Sequence, residues 1–281
     1  MRFLTEVWEQ YSVSQNQAKR NVRRCVRAGM ETALPTLESV VDRTKCAGEA
    51  DLGVLSIPVA QIVGIASGSD NENYTANFLP LPSAKSEFAE KWTQIYMEHL
   101  TDRGLVDPIR CYEYLGKFYV ADGKKRVSVL KANGATMVKA EVTRILPAAT
   151  EDPEIQSYYE FVRTFENTGL YQIRFTRPGK ADAFLKAIGH APDHVWTDSD
   201  RYSFIFNWHS FERALEVAFD GSLSITTADA VQVLLKNNTF NELKNRPSWT
   251  LAELMQEAWQ EMYQISDPAF DISTCISKKA S

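Results

Sequence analysis

Five consecutive residues, Asp122-Gly123-Lys124-Lys125-Arg126, hold the densest chemistry in the chain. A glycine and three cations stand just ahead of Val127, Leu130 and Lys131 at helical spacing, which predicts a tight turn feeding a helix N-terminus. The first N–H groups of a helix have no intrahelical partner and the macrodipole is positive there, so an anion docks readily. Gly123 lets the backbone approach such an anion closely. Cations at that end oppose the dipole by roughly 0.3–1 kcal/mol each, a cost that a bound phosphate would remove. Read without a ligand, the same residues make a solvated basic turn with Asp122 as its N-cap.

The flanking sequence must position that turn. Ile109 to Tyr114 and Lys117 to Ala121 are short β-rich runs separated by Leu115-Gly116, the pattern of a hairpin. Asn133-Gly134 supplies a stop for the helix after the turn. Upstream lie a strand within Leu52 to Val63, the polar loop Gly64 to Asn77, and an amphipathic helix Ser86 to His99 carrying Phe88, Trp92, Ile95 and Tyr96 on one side. A closing strand is expected over Lys139 to Ile145.

This order, with Ile57-Pro58-Val59, Gly104-Leu105-x-x-Pro108-Ile109 and the Gly123-x-x-Arg126 turn, resembles the ParB/sulfiredoxin superfamily over residues 52 to 147. The run Asp122-Gly123-x-x-Arg126-Val127-Ser128-Val129 is similar to the D-G-H-H-R-V-S-V form of uncharacterised bacterial members and, in shorter form, to free serine kinases. The resemblance implies a mixed α/β domain whose turn, through Gly123, Lys124, Lys125, Arg126 and Ser128, grips the phosphates of ATP, ADP or CTP, with Mg2+ as a companion ion. Two functions follow from it. One is a phosphotransferase or nucleotide hydrolase, with Asp122, Lys124 and Glu72 in catalytic roles. The other is a nucleotide-switched, DNA-associated regulatory or partitioning-type protein. Lys124 and Lys125 stand where that form has histidines, and neither the reactive cysteine of sulfiredoxin nor the Glu-Arg of partitioning ParB proteins is present.

Around this centre the chain divides into three expected parts: a helical segment over 1–50, the phosphate-binding domain over 51–149, and a mainly helical domain over 150–281. Within the last, Ile155 to Phe165, Pro178 to Ile188, Phe204 to Phe219 and Ala228 to Leu235 are expected helices, and Leu170 to Thr176 an expected strand. A further helix is expected from Thr250, opened by a Thr250-x-x-Glu253 capping box. These C-terminal helices suit a packing or homodimerisation module. Glu253, Glu257 and Glu261 would repel phosphates, which argues against their reading DNA.

In the N-terminal segment, Arg20, Arg23, Arg24 and Arg27 share one helix face, beside Lys19. That face suits either weak DNA contact or an acidic protein surface. Net charge is −5 over 281 residues and unevenly spread: +2 over 1–50, zero over 51–150 and −7 over 151–281 (Lys and Arg against Asp and Glu, 8 to 6, 11 to 11 and 12 to 19). A broad basic surface for gripping DNA is therefore not expected. The absence of a long apolar run or an N-terminal apolar core predicts a cytoplasmic protein without a membrane partner. Cys25, Cys46, Cys111 and Cys275 are widely spaced and read as free thiols. His190 and His194 have i, i+4 spacing, but Pro192 breaks any helix between them, so no metal site is expected.

Overall fold

A computed structural model describes residues 2–69, 71–101, 104–105 and 107–267, which leaves Cys275 outside the described residues. The protein is a mixed α/β chain that separates into two compact units, 1–148 and 149–281. Among the described residues no helix is long and apolar enough to cross a membrane.

The first unit opens with α1 (Arg2–Arg27) and the single turn α2 (Leu37–Val40). Its sheet comprises β1 (Cys46–Pro58), β2 (Ile62–Ile65), β3 (Ile109–Tyr114), β4 (Lys117–Asp122) and β5 (Met137–Pro147), ordered β1-β5-β3-β4-β2. β1 is antiparallel to β5, β5 parallel to β3, β3 antiparallel to β4, and β4 parallel to β2. The helices α3 (Glu87–His99) and α4 (Lys124–Ala132) complete it.

The hairpin expected over 109–121 forms at Leu115-Gly116, where both residues take positive φ, 49° and 70°. Such a turn follows the natural twist of paired strands. α4 then stops as expected at Asn133, with Gly134 at φ 66°. The boundary expected between residues 50 and 51 instead falls inside β1, where Gly48 to Asp51 pair with Leu146 to Thr143 of β5 between two register shifts. The N-terminal segment likewise folds as part of this unit. α1 presents Val7, Tyr11, Ser14, Gln15 and Ala18 inward at i, i+3 and i+4 spacings. Tyr11 packs edge-on to Trp92 at 5.3 Å and donates to the Pro82 carbonyl at 2.8 Å. Trp92 belongs to α3, whose start is capped by Ser86 accepting from the Ala89 N–H.

The second unit is built from α5 (Pro153–Thr168), α6 (Ala181–Ala187), α7 (Asp198–Phe219), α8 (Thr227–Leu234), α9 (Phe240–Leu243), α10 (Ser248–Glu257) and α11 (Trp259–Ser266). Phe184, Trp208, Phe211, Leu243, Leu251 and Met255 share its core. The strand expected over Leu170 to Thr176 is not formed. The segment is irregular, and side chains rather than a neighbouring strand satisfy its backbone. Ser157 and Thr226 donate to the carbonyls of Phe175 and Arg174 at 2.6 and 2.5 Å, and the Thr176 N–H donates to Asp229 at 3.0 Å. The Thr250-Glu253 capping box is absent as well. The helix begins two residues earlier, at Ser248 after Pro247, and breaks at Ala258 into two pieces.

Candidate functional site

β4 ends at Asp122 and α4 begins at Lys124, so the whole reversal falls on Gly123, at φ +96°. A Cβ there would sit 2.6 Å from Ile109 Cγ2, which makes glycine obligatory for conformation and space alike. Asp122 is not the cap that the ligand-free reading expects. The cap residue is Gly123 and no side chain closes the helix start. The Asp122 carboxylate instead accepts from Arg126 Nη2 at 3.0 Å, one turn on.

Arg126 and Lys124 reach away from the turn to opposite neighbours. Arg126 Nη1 donates to the carbonyls of Asp107 and Pro108 at 2.7 and 3.0 Å, tying down the segment that leads into β3. A guanidinium has five N–H donors, and these three bonds leave Nε–H and one hydrogen of Nη2. Its side chain keeps 19% of its exposure. Lys124 Nζ donates to the Ser69 carbonyl at 2.6 Å and hydroxyl at 3.0 Å, which brings the polar loop to the helix start. Lys125 lies over the Phe88 ring at 4.9 Å, a cation–π contact that links the turn to α3. Four of the expected residues, Gly123, Lys124, Lys125 and Arg126, therefore converge with Asp122 on one helix start.

Two others do not. Ser128 is fully buried and its hydroxyl accepts from the indole N–H of Trp92 at 3.0 Å, so it joins α4 to α3 from inside. The four successive residues Val127 to Leu130 are all buried, so α4 is covered around most of its circumference there and Ser128 is interior. Glu72 is exposed on a single 3-10 turn, Asn71–Asn73, in the polar loop. Part of that loop is structural: Asn71 exchanges two hydrogen bonds with the backbone of Leu34, and Tyr74, Thr75, Phe78 and Leu79 are buried.

Two charged features were not anticipated. Lys131, in the last turn of α4, donates to the Ile62 carbonyl at 2.6 Å and lies over Phe78 at 5.1 Å, and burial pushes its pKa down to about 8. A lysine near a helix C-terminus is ordinary in sequence, so nothing marked it. Glu113 and Arg144 form a buried ion pair between β3 and β5, with Glu113 also accepting from the Gly116 N–H at 2.6 Å. Strand alternation carried a signal here, since Glu113 falls on the inward parity of Ile109 and Cys111. Burial also pushes the Cys111 thiol up to about 12, which leaves it unreactive near neutrality.

A cleft of about 370 Å³ in this unit is lined by Leu37, Val41, Arg43, Ser67 and Tyr112. Tyr112 alternates with Ile109 and Cys111, so the cleft opens on the sheet face opposite the one α4 covers.

On α1, Arg20, Arg23, Arg24 and Arg27 are all exposed and make no ion pair among the described residues. Beyond Ala18 no residue of the helix is fully buried, and the arginines point outward while Asn21, Val22 and Cys25 are half-buried. The chain matches no known protein-family model, and comparison with curated proteins finds no match.

Proposed function

We propose that the first unit binds a nucleotide or another small phosphorylated ligand at the start of α4. The observation that carries this reading is the uncapped helix start at Gly123, ringed by Lys124, Lys125 and Arg126, with Arg126 retaining two guanidinium donors. Phosphate oxygens would accept from first-turn N–H groups and from those donors, and their charge would offset the cations crowded at the positive end of the helix dipole. The resemblance to the ParB/sulfiredoxin superfamily supports the same site. Lys124 and Arg126 also hold the Ser69 loop and the Asp107-Pro108 segment, so ligand binding and loop order are coupled through the same two side chains.

If the bound phosphoryl group is transferred or hydrolysed, the three cations would neutralise developing charge. Asp122 or Glu72 would then act on a proton or on Mg2+. A second reading, a nucleotide-switched protein that touches DNA, is favoured by the unpaired arginine face of α1. The deciding experiment is a thermal-shift panel of ATP, ADP, CTP and GTP with and without Mg2+. A ligand at ~100 times its dissociation constant stabilises by ~2.7 kcal/mol. A stabilising nucleotide whose effect disappears in Arg126→Ala supports the site. A panel with no response from any nucleotide, inorganic phosphate or sulfate would remove the reading.

A further inference from the structure

We propose that the second unit holds a divalent metal ion of the zinc class between His190, His194 and Asp200. The site is independent of the phosphate reading. One ligand atom from each of the three lies within 4.8 Å of the others, and His194 Nε2 is 3.3 Å from Asp200 Oδ2. Ligand atoms held about 2.0–2.2 Å from one tetrahedral ion stand about 3.3–3.6 Å apart, so this pair already has the edge length of a zinc site. Pro192 does not prevent the arrangement, because a turn rather than a helix brings the two imidazoles together: the His194 N–H donates to the Ala191 carbonyl at 3.0 Å. The rings stack 15° from parallel with centroids 5.4 Å apart.

Neighbouring groups fix each ligand. The His190 backbone N–H donates to the Leu185 carbonyl at 2.9 Å, and its ring rests on buried Trp196 with centroids 4.4 Å apart. Asn167 clamps the loop from α5, donating to the Pro192 carbonyl at 3.1 Å and accepting from the Trp196 N–H at 2.9 Å. Asp200 is held by the capping box of α7, with Oδ2 accepting from the Thr197 N–H and hydroxyl, both at 2.8 Å. A cation would replace the proton that His194 Nε2 shares with this same Oδ2. The bonds to the carboxylate are of the kind that orient ligands in metal sites, while the histidines are placed through their backbone and, for His190, the Trp196 ring. Two neutral imidazoles and one carboxylate suit zinc better than magnesium or calcium, which prefer all-oxygen sets. With His194 exposed, water can take the fourth position.

Isothermal titration of the full, untagged chain with Zn2+, followed by Co2+ spectroscopy, tests the site. One equivalent should bind with a dissociation constant of about 1 µM or tighter, and Co2+ should give the intense visible band of four-coordination. His190→Ala and His194→Ala should each weaken binding by at least about 10-fold. Asp200→Asn keeps an oxygen for the Thr197 cap but removes the charge, and should weaken binding while leaving the far-ultraviolet circular dichroism unchanged. Should any variant unfold, His194→Gln, a change at an exposed position, replaces it. Substoichiometric binding, or equal affinity in wild type and both histidine variants, would overturn the proposal.

Discussion

The ammonium of Lys124 donates to both the carbonyl and the hydroxyl of Ser69, 55 residues earlier in the chain. A side chain at the first position of α4 therefore fastens the polar loop that follows β2. Lys124→Ala should free that loop, seen as faster amide hydrogen exchange over residues 66–69. If the protein turns over a phosphoryl group, the same variant should lose more in turnover than in affinity, as read by phosphate release alongside titration calorimetry.

Arg126 and Lys125 should behave differently although both are cations of one turn. Arg126 makes three directed bonds from a planar fork, a geometry that lysine cannot copy. Arg126→Lys should weaken nucleotide binding nearly as much as Arg126→Ala, by ~1.5–3 kcal/mol for a lost charge-assisted contact. Lys125→Arg keeps its charge over Phe88 and should be nearly silent. Equal affinity of wild type and Arg126→Ala for the best nucleotide of the panel would reduce the turn to a solvated basic loop.

Ser128→Ala removes the acceptor of the Trp92 N–H inside the unit. Leaving that donor buried and unsatisfied should cost ~1–3 kcal/mol of stability. Urea denaturation followed by tryptophan fluorescence measures the loss. Nucleotide affinity, taken well below the unfolding midpoint, should change less than in Arg126→Ala.

Lys131 gives stability a specific pH dependence. Its pKa is about 8 in the fold because burial disfavours the charge, against about 10.4 in an unfolded chain. The folded state therefore carries the cost of the charge below about pH 8, and that cost fades as pH rises through about 8 toward about 10. Relative to Lys131→Met, wild type should gain stability between about pH 7 and about pH 10. Denaturation of both proteins across that window checks the sign, and a constant difference would contradict it.

DNA binding, where it occurs, should run through Arg20, Arg23, Arg24 and Arg27. Four phosphate contacts predict a plot of log affinity against log salt no steeper than about −4, with little sequence preference. Replacing the four by alanine should abolish the retardation of duplex DNA in a gel. Tight binding to one sequence at physiological salt would contradict this and promote the regulator reading.

What the sequence determined was local. Leu115-Gly116, Gly123 and Asn133-Gly134 punctuate β3, β4 and α4 where the pattern places them, because turns and helix ends are governed by the few residues at each point. The convergence of three cations on one turn was equally visible, since they are adjacent in sequence. Tertiary structure decided what those side chains do. Ser69, Asp107 and Pro108 became partners of Lys124 and Arg126 only when distant segments met, and Ser128 is interior because α4 is covered on nearly every side there, with Trp92 of α3 as its partner. The same holds in the second unit. Residues 170–176 have strand-like composition but, among the described residues, no strand beside them, and a strand requires a partner for its backbone. His190 and His194 meet Asp200 through a turn and a helix cap, since ligand geometry depends on where the chain returns in space as well as on spacing along it.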